Sequence, residues 1–436
     1  MNRAAESAAL PPAVPDGAAT TAWLRRHQRA LVLAALAATA YVAASNRTQP
    51  LLWAVAALLL ATLVAGVAWP HWLVRRLSVE RSAPLRAQEG ETIRLALRVR
   101  NHGLLPRSMV ELVDRLPFVG AARGEVPDSV VLGQLAWVPG GAERELPVEV
   151  VAEKRGLYRL GPVGLASRFP LGLAEARQVR DAGRATLTIY PEIFPIVALP
   201  LRGAPNLIHR GSLQLTDGAG SSEFCGLREY RPGDSPRHIH WPSSARSNEL
   251  MVREYEPQAS ASLCLILDQH ARANLGMGRE ASFEVAVRIA ASIARHATLH
   301  GMPVRVVGHG DVPLEIPAGC GEAHYQEILD ALAVVAADGA TPYPEVLEAA
   351  ARPVARGETV VTFHSEATRA GRTPDALAAL ALLRSRGAHL LAICFDRASF
   401  TGAAADDDAL AAGLRELGAH VLPVRRGDEL TALFNA

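Results

Sequence analysis

Ten charged side chains of both signs stand close together in the segment Arg228–Glu256. Five are arginines and five are carboxylates, so the segment has no net charge, and Pro232-Gly233-Asp234 predicts a turn within it. Because arginine and carboxylate pair in fixed geometry, the pattern suits a self-paired ion network or a surface for a partner of mixed charge. The candidate binding residues are Arg228, Glu229, Tyr230, Gly233, Asp234, Arg237, Trp241, Arg246, Arg253 and Glu254.

The charge balance argues against nucleic acid as the partner. Phosphate binding requires an excess of cations on the binding surface. The whole chain of 436 residues has 45 lysines and arginines against 44 acidic residues, a formal net charge of +1. We therefore expect a protein partner and no nucleic acid. Whether the charged segment is a structural core or a docking surface stays open at this point.

Two histidines in the same segment could bind a metal ion. His238 and His240 are two residues apart, so in an extended chain both imidazoles face the same side. A metal centre needs at least a third ligand, which Asp234 or Asp268 could supply. This alternative predicts a metal-assisted hydrolase or nuclease. The simpler interpretation is that both histidines form hydrogen bonds within the charged segment, and we expect neither a metal nor another cofactor.

The common catalytic motifs are absent from the sequence. There is no G-x-x-x-x-G-K followed by Ser or Thr, no G-x-S-x-G and no H-E-x-x-H. The cysteines Cys225, Cys264, Cys320 and Cys394 are widely spaced and form no C-x-x-C, which indicates free thiols in a reducing compartment. The sequence therefore favours a binding protein over an enzyme.

Two apolar runs predict a transmembrane helical hairpin over residues 30–76. Leu51–Trp69 has 19 residues, and as a helix it would span about 28 Å, close to the ~30 Å bilayer core. Ala30–Ser45 is shorter, and Asn46–Pro50 suffices only for a turn between them. A cleaved signal peptide is disfavoured because a second apolar run follows at once. Residues 1–29 are predicted to be a disordered cytoplasmic tail.

Arginines flank both ends of the predicted hairpin, whereas its turn contains only Arg47. The positive-inside rule therefore places both termini and the soluble domains in the cytoplasm. The predicted location is the inner (cytoplasmic) membrane, with two spans. The flanking arginines are Arg25, Arg26, Arg29, Arg75, Arg76 and Arg81.

Residues 77–191 alternate between apolar and polar side chains, as half-exposed antiparallel strands do. Thr92–Arg100 is the clearest case, with apolar residues on one face and arginines on the other. Turn signals separate the runs, which predicts a β-sandwich of about seven short strands. Further strands are predicted at Ser108–Leu112, Ser129–Trp137, Arg144–Ala152 and Ala185–Tyr190.

Residues 192–260 are a connecting segment that includes the charged region, and residues 261–436 alternate between strand and helix patterns. The alternation predicts a doubly wound α/β domain, so the expected fold class is α+β and multidomain. The predicted strands are Ser262–Asp268, Val304–Gly308, Thr359–Phe363, His389–Phe395 and Val421–Val424. The predicted helices are Glu280–His300, His324–Ala337, Tyr343–Ala351, Pro374–Arg386 and Ala409–Leu417.

The charged segment resembles the signature of the domain of unknown function 58 family. Members typically show R-E-Y-x-P-G-D, R-x-I-x-W, S-A-R and L-x-V-R-E-Y-E in this order, after a β-domain that ends in R-G-x-Y-x-L-G-P. The matching positions here are Arg155–Pro162, Arg228–Asp234, Arg237–Trp241, Ser244–Arg246 and Leu250–Glu256.

The resemblance implies a von Willebrand factor A-like fold for the C-terminal domain. That fold can bind Mg²⁺ through D-x-S-x-S after its first strand, a threonine and a second aspartate, because Mg²⁺ prefers oxygen ligands. Here Asp268 and Thr341 match, but His270 and Arg272 replace the serines, and His364 stands where the second aspartate is expected. We therefore expect a degenerate site that holds no metal.

The resemblance also implies a partner. The family is often linked with MoxR-type AAA+ ATPases. The resulting expectation is a membrane-tethered scaffold or adaptor that presents a client or partner to such an ATPase.

Overall fold

The computed structural model describes residues 16–47, 49–123, 126–180, 184–197, 199, 223–230, 239–247, 249–256, 262–365, 373–402 and 409–435. They form two compact units. The β unit comprises residues 1–120, 125–153 and 157–189, and the α/β unit comprises residues 121–124, 154–156 and 190–436. The chain is therefore a mixed α+β protein with two apolar N-terminal helices and several sheets.

The first two helices of the β unit are α1 (Asp16–Arg47) and α2 (Pro50–Val74). Each has an apolar stretch long enough to cross a membrane, Gln28–Asn46 and Pro50–Val74, and only 11% of either stretch is buried. This exposure distinguishes them from the core helices of a soluble protein, which are mostly covered. Both helices therefore suit membrane association.

Helix α1 extends into the region that was predicted to be a disordered tail, residues 1–29. α1 begins at residue 16, where an alanine-rich sequence favours helix, and residues 1–15 lie outside the described residues. Pro50 opens α2, a position where its missing N–H costs nothing. The rings of Tyr41 and Trp53 meet edge to face, with 5.5 Å between their centroids, and join the two helices.

Ten strands of the β unit form three sheets. Their orders are β1-β3-β6, β2-β10-β7 and β5-β4-β8-β9, and twenty buried apolar residues from the strands and the segments between them share one core. The alternation predicted for residues 92–100 is observed, because every second side chain from Ile93 to Val99 is buried and the residues between are more exposed. The strands are β1 (Leu77–Ser82), β2 (Arg86–Gln88), β3 (Thr92–Asn101), β4 (Arg107–Asp114), β5 (Val130–Val138), β6 (Glu143–Val151), β7 (Gly156–Leu160), β8 (Val163–Ser167), β9 (Ala176–Arg180) and β10 (Ala185–Tyr190).

The α/β unit contains a six-stranded sheet of order β15-β14-β13-β16-β17-β18. In order of appearance this is 3-2-1-4-5-6, a doubly wound arrangement, with β15 antiparallel at one edge and the other strands parallel. The strands are β13 (Leu263–Leu267), β14 (Val304–His309), β15 (Pro313–Gly319), β16 (Thr359–His364), β17 (His389–Phe395) and β18 (His420–Val424).

Helices cover both faces of this sheet. Alternate residues of β13 serve two cores: Leu263, Leu265 and Leu267 belong to one, and Cys264 and Ile266 to the other. A continuous apolar run is the sequence pattern of such a strand. The helices are α4 (Ser282–Leu299), α5 (Glu322–Val334), α6 (Tyr343–Ala351), α7 (Thr373–Ser385), α8 (Arg397–Thr401), α9 (Ala409–Glu416) and α10 (Leu430–Phe434).

Arg155, the first residue of the R-G-x-Y-x-L-G-P match, is buried within the α/β unit. It forms an ion pair with Glu284, donates from Nε to the carbonyl of Leu332 at 2.9 Å and donates from Nη2 to the carbonyl of Val335 at 2.5 Å. Only 4% of its side chain is exposed. A buried guanidinium needs this many acceptors, so the role of Arg155 is structural.

Candidate functional site

The charged segment forms an antiparallel strand pair and a short helix in the α/β unit. β11 (Glu223–Glu229) pairs with β12 (Met251–Glu256), and α3 (Trp241–Ser247) lies between them in sequence. The pair continues beyond β11, because the N–H of Tyr230 donates to the carbonyl of Leu250 at 2.8 Å. The signature therefore has a β-hairpin frame.

Ser244 fixes α3 to β12. Its Oγ accepts a hydrogen bond from the N–H of Met251 at 2.8 Å, and the N–H of His240 donates to the carbonyl of Met251 at 2.8 Å. Ser244 is buried, as is Val252 next to Met251. The serine of the S-A-R match therefore has a structural role, because it links helix α3 to strand β12.

The helix held in this way exposes a large aromatic side chain. Trp241 is 64% exposed and Leu250 is 45% exposed, and Arg246 and Glu249 are exposed on the same short stretch of chain. Exposed apolar side chains flanked by charges of both signs are typical of a protein-binding surface. We call Trp241, Arg246, Glu249 and Leu250 the α3 face.

The structure places the ten predicted binding residues in three groups. Trp241 and Arg246 lie on the α3 face, and Glu229 is exposed on β11 beside the half-buried Tyr230. The backbones of Arg228, Arg253 and Glu254 lie in β11 and β12, but their side chains are not described. Gly233, Asp234 and Arg237 lie outside the described residues. How the charges of the segment pair with one another thus stays a prediction.

The carboxyl end of the parallel sheet is the second candidate site, because ligands of doubly wound folds bind where the strand order reverses. Asp268 follows β13 there, and its Oδ1 accepts the N–H of His270 at 3.1 Å. The His270 Nδ1 in turn accepts the N–H of Arg272 at 3.2 Å. Backbone bonds join this turn to Gly339, which donates to the carbonyl of Gln269 at 2.9 Å. The turn is held by its own hydrogen bonds.

His364 ends β16 beside this turn and is 3% exposed. Burial lowers the pKa of its imidazole from 6.5 to about 4, because a buried charge loses its hydration. Its Nε2 lies 2.9 Å from the Thr362 hydroxyl, and its ring meets the ring of Tyr343 edge to face. At neutral pH His364 is therefore a neutral core residue, where a Mg²⁺ site would use a carboxylate.

The described part of the chain contains no group of three His, Cys, Asp or Glu residues placed to hold a metal ion. Thr341 is half-buried after Gly339. His240 has Nδ1 within 2.8 Å of the Ser243 hydroxyl, whereas His238 and Asp234 lie outside the described residues. The metal-assisted hydrolase thus stays an alternative prediction that no contact favours.

Three residues of the α3 face and the elements that hold it were not among the predicted binding residues: Ser244, Glu249 and Leu250. Ser244 stood out only as part of a motif, and its small hydroxyl beside strand residues could have indicated a side-chain bond to the backbone. Leu250 likewise stood out only as part of the L-x-V-R-E-Y-E match, because a single leucine before an alternating strand has no pattern that marks it as exposed. The three described cysteines, Cys264, Cys320 and Cys394, are free, and burial raises the pKa of Cys264 to about 12.

Comparison with curated proteins and families agrees with the signature. Residues 226–392 match the family model described as "Protein of unknown function DUF58". A stretch of 120 residues is 30% identical to "Uncharacterized protein YeaD" of Bacillus subtilis (strain 168). This match spans 28% of the present chain and 28% of that relative.

Solved structures give only weak likenesses. Proximal thread matrix protein 1 from the mussel byssus aligns with a TM-score of 0.30 at 13% identity, over 40% of this chain and 46% of that one. A β-glucosidase from Listeria innocua aligns with a TM-score of 0.19 at 13% identity, over 26% of this chain and 16% of that one. The family match over residues 226–392 confirms the predicted resemblance to a family that is described as of unknown function.

Proposed function

We propose that the protein is a membrane-tethered binding protein that docks a partner protein on the α3 face, and that the partner is a MoxR-type AAA+ ATPase. The observation that carries this proposal is the 64% exposure of Trp241 on a helix held in place by Ser244. The identity of the ATPase comes from the family resemblance.

Exposed tryptophan and arginine are the residue types that contribute most to protein–protein binding. Trp241 can bury a large aromatic surface in a partner, and Arg246 can form a bidentate bond with a partner carboxylate. Because α3 is attached to β12 through the Ser244 hydroxyl and through His240, both side chains start from a fixed backbone. A rigid surface loses less conformational entropy on binding.

The membrane part of the proposal is supported by α1 and α2. Their apolar stretches are long enough to cross a bilayer and are mostly exposed. The arginines on either side of the pair favour a cytoplasmic location for both termini and both folded units, in the inner membrane. The 3-2-1-4-5-6 strand order supports a von Willebrand factor A-like α/β unit that acts as the platform for binding.

Affinity capture from solubilised membranes tests the proposal. Tagged full-length protein is compared with the double variant Trp241→Ala and Arg246→Glu. We expect an AAA+ ATPase to be enriched with the wild type and depleted at least about 30-fold with the variant, since a tryptophan hot spot contributes about 2 kcal/mol or more.

The matched control is the double variant Trp137→Ala and Arg426→Glu. Trp137 is 56% exposed on β5 and Arg426 is exposed after β18, so the control loses the same residue types but leaves the α3 face unchanged. It should capture the ATPase as the wild type does. Equal capture by the α3 variant would refute docking on the α3 face, and folded wild type that enriches no AAA+ ATPase would refute the choice of partner.

A further inference from the structure

The turn between β8 and β9 carries apolar side chains on its surface. Phe169 is 37% exposed and Leu171 is 45% exposed, within the run Phe169-Pro170-Leu171-Gly172-Leu173. An ion pair joins residues on either side of this run, since Arg168 Nη2 donates to Glu175 Oε2 at 2.9 Å. A short apolar loop between charged residues is unusual for a turn in water, where polar residues prevail.

The same turn packs against α2, within the same unit. A Cβ atom at Gly66 would lie 2.5 Å from Leu173 Cδ1 and 3.3 Å from Leu171 Cδ1. Gly66 therefore allows the turn to approach the helix backbone, and Leu173 is buried there. Gly66 precedes Trp69 by three residues, which is less than one helical turn. The contact thus falls inside the apolar run Leu51–Trp69, near the end marked by tryptophans.

Positive charge lies at the same level. The Nη1 atom of Arg29 is 3.9 Å from the position that a Cβ atom at Gly172 would occupy. Arg29 stands at the start of the apolar stretch Gln28–Asn46 of α1, and the side chain of Arg168 is 62% exposed. Apolar side chains beside arginines and tryptophans are what the boundary between lipid headgroups and acyl chains accommodates.

We infer that the Phe169–Leu173 turn is a third membrane contact of this protein and that it lies in the interfacial layer of a phospholipid bilayer. Phe169 and Leu171 enter the acyl boundary, and Arg29 and Arg168 face lipid phosphates. Leu173 holds the turn on α2, so the depth of the turn is set by Gly66. This inference rests on the proposed membrane tether.

A second contact on the β unit has a mechanical consequence. Sheets joined to a membrane only through the end of α2 can swivel, whereas sheets that also have an inserted turn are held at two points. The turn begins at Ser167, whose Oγ donates to the carbonyl of Met109 at 3.0 Å. Orientation fixed at the membrane is therefore transmitted into the sheet β5-β4-β8-β9.

Lipid-quenching fluorescence tests this inference. Full-length protein with Cys225→Ser and Cys320→Ser receives Leu171→Cys, is labelled with an environment-sensitive thiol fluorophore, and is reconstituted into vesicles of phosphatidylethanolamine and phosphatidylglycerol. The background protein without the new cysteine measures labelling of the remaining Cys264 and Cys394. Lipids that carry bromine near the headgroup end of their acyl chains should quench most of the fluorescence of the label at position 171.

Two further positions make the outcome decisive. Val131→Cys is the matched control, because Val131 is 60% exposed on β5 opposite Val113, away from the turn. Its label should keep its signal. Leu58→Cys reports the tether, because Leu58 is 67% exposed in the middle of α2, and deep bromines should quench it.

The inference is overturned, with the tether intact, if the Leu58 label is quenched while the Leu171 label behaves like the Val131 label. If the Leu58 label also escapes quenching, both the inference and the proposed tether are wrong. Restored signal at Leu171 on adding Phe169→Asp, with Leu58 still quenched, would support insertion of the turn, because a charge in the acyl boundary expels it.

Discussion

The carboxyl end of the parallel sheet and the α3 face differ in where their polar groups point. At the sheet end, the Asp268 carboxylate and the His270 ring accept hydrogen bonds from their own turn, and His364 is a neutral buried residue. On the α3 face, the buried Ser244 forms the local hydrogen bonds, and Trp241 and Arg246 are exposed.

This difference separates fold from recognition. A doubly wound sheet offers a ligand site at its strand ends only if side chains there are left available. At that edge the Asp268 carboxylate and the His270 ring accept hydrogen bonds from the turn that follows β13. The signature segment does the reverse, since a small residue holds the backbone and large residues face solvent. Under the proposed function, this difference favours binding on the α3 face and a structural role for the sheet end.

The largest expected effect on stability comes from His364. Its pKa is about 4 in the folded protein, against an ordinary value of 6.5 for a histidine in the unfolded chain, so the unfolded chain takes up a proton first as pH falls. The free energy of unfolding should be fully retained above pH 6.5 and should fall by up to about 3 kcal/mol as the pH approaches 4. Denaturant unfolding of the full-length protein in detergent, at a series of pH values, measures this loss.

The variant His364→Phe should remove that part of the pH dependence. The matched comparison is His389→Phe, which removes an imidazole from the half-buried start of β17 in the same sheet. A slope unchanged in the His364 variant would mean that His364 is not the neutral core residue that the comparison requires.

The next largest effect on stability is expected from Ser244, which links α3 to β12 beneath the α3 face. Ser244→Ala leaves the N–H of Met251 without its acceptor, which should cost about 1 kcal/mol because the bond is partly buried. Hydrogen exchange of peptides covering Trp241–Glu256 should speed up locally. Ser385→Ala, an exposed serine at the end of α7, should change exchange very little. Unchanged hydrogen exchange in the Ser244 variant would contradict the claim that Ser244 holds α3 on β12.

A smaller effect is expected for Trp241 itself. Because its side chain is mostly exposed, Trp241→Ala should change the free energy of unfolding by no more than about 0.5 kcal/mol. Trp137→Ala, similarly exposed, gives the reference value in the same denaturant titration. A loss of several kcal/mol would show that Trp241 is a core residue and that the α3 face is not a free surface.

The smallest effect is expected from magnesium at the sheet end. Addition of Mg²⁺, compared with chelator, should leave the thermal midpoint unchanged, because His364 is uncharged and Arg272 brings a cation to the turn after Asp268. A midpoint that rises with Mg²⁺ in the wild type, but not in Asp268→Asn, would restore the sheet end as a metal site.

Much of the α/β unit was predictable because its strands and helices have strong local patterns. The helix Tyr343–Ala351 and the strand His389–Phe395 have the predicted bounds, and β16 is longer by one residue. β15 was missed, since prolines within it and an exposed alternate face gave no clear strand signal. The described residues of the β unit form ten strands where about seven were predicted, because β2, β7, β8 and β9 are only three to five residues long.

The candidate site was less predictable. The sequence identified Trp241 and Arg246 as candidates, but it could not decide between core and surface, because that depends on which side of α3 meets β12. The Phe169–Leu173 turn was missed altogether. Its apolar run becomes informative only when Leu173 is seen at Gly66 of α2, a contact between residues more than a hundred positions apart.

The central claim is that binding uses the α3 face and not the sheet end. Captured AAA+ ATPase should be quantified from membranes that express the wild type, Trp241→Ala or Asp268→Asn at equal levels. We expect capture of the ATPase to fall at least about 30-fold in the Trp241 variant and to match the wild type in the Asp268 variant. Loss in the Asp268 variant with full capture by the Trp241 variant would contradict the account.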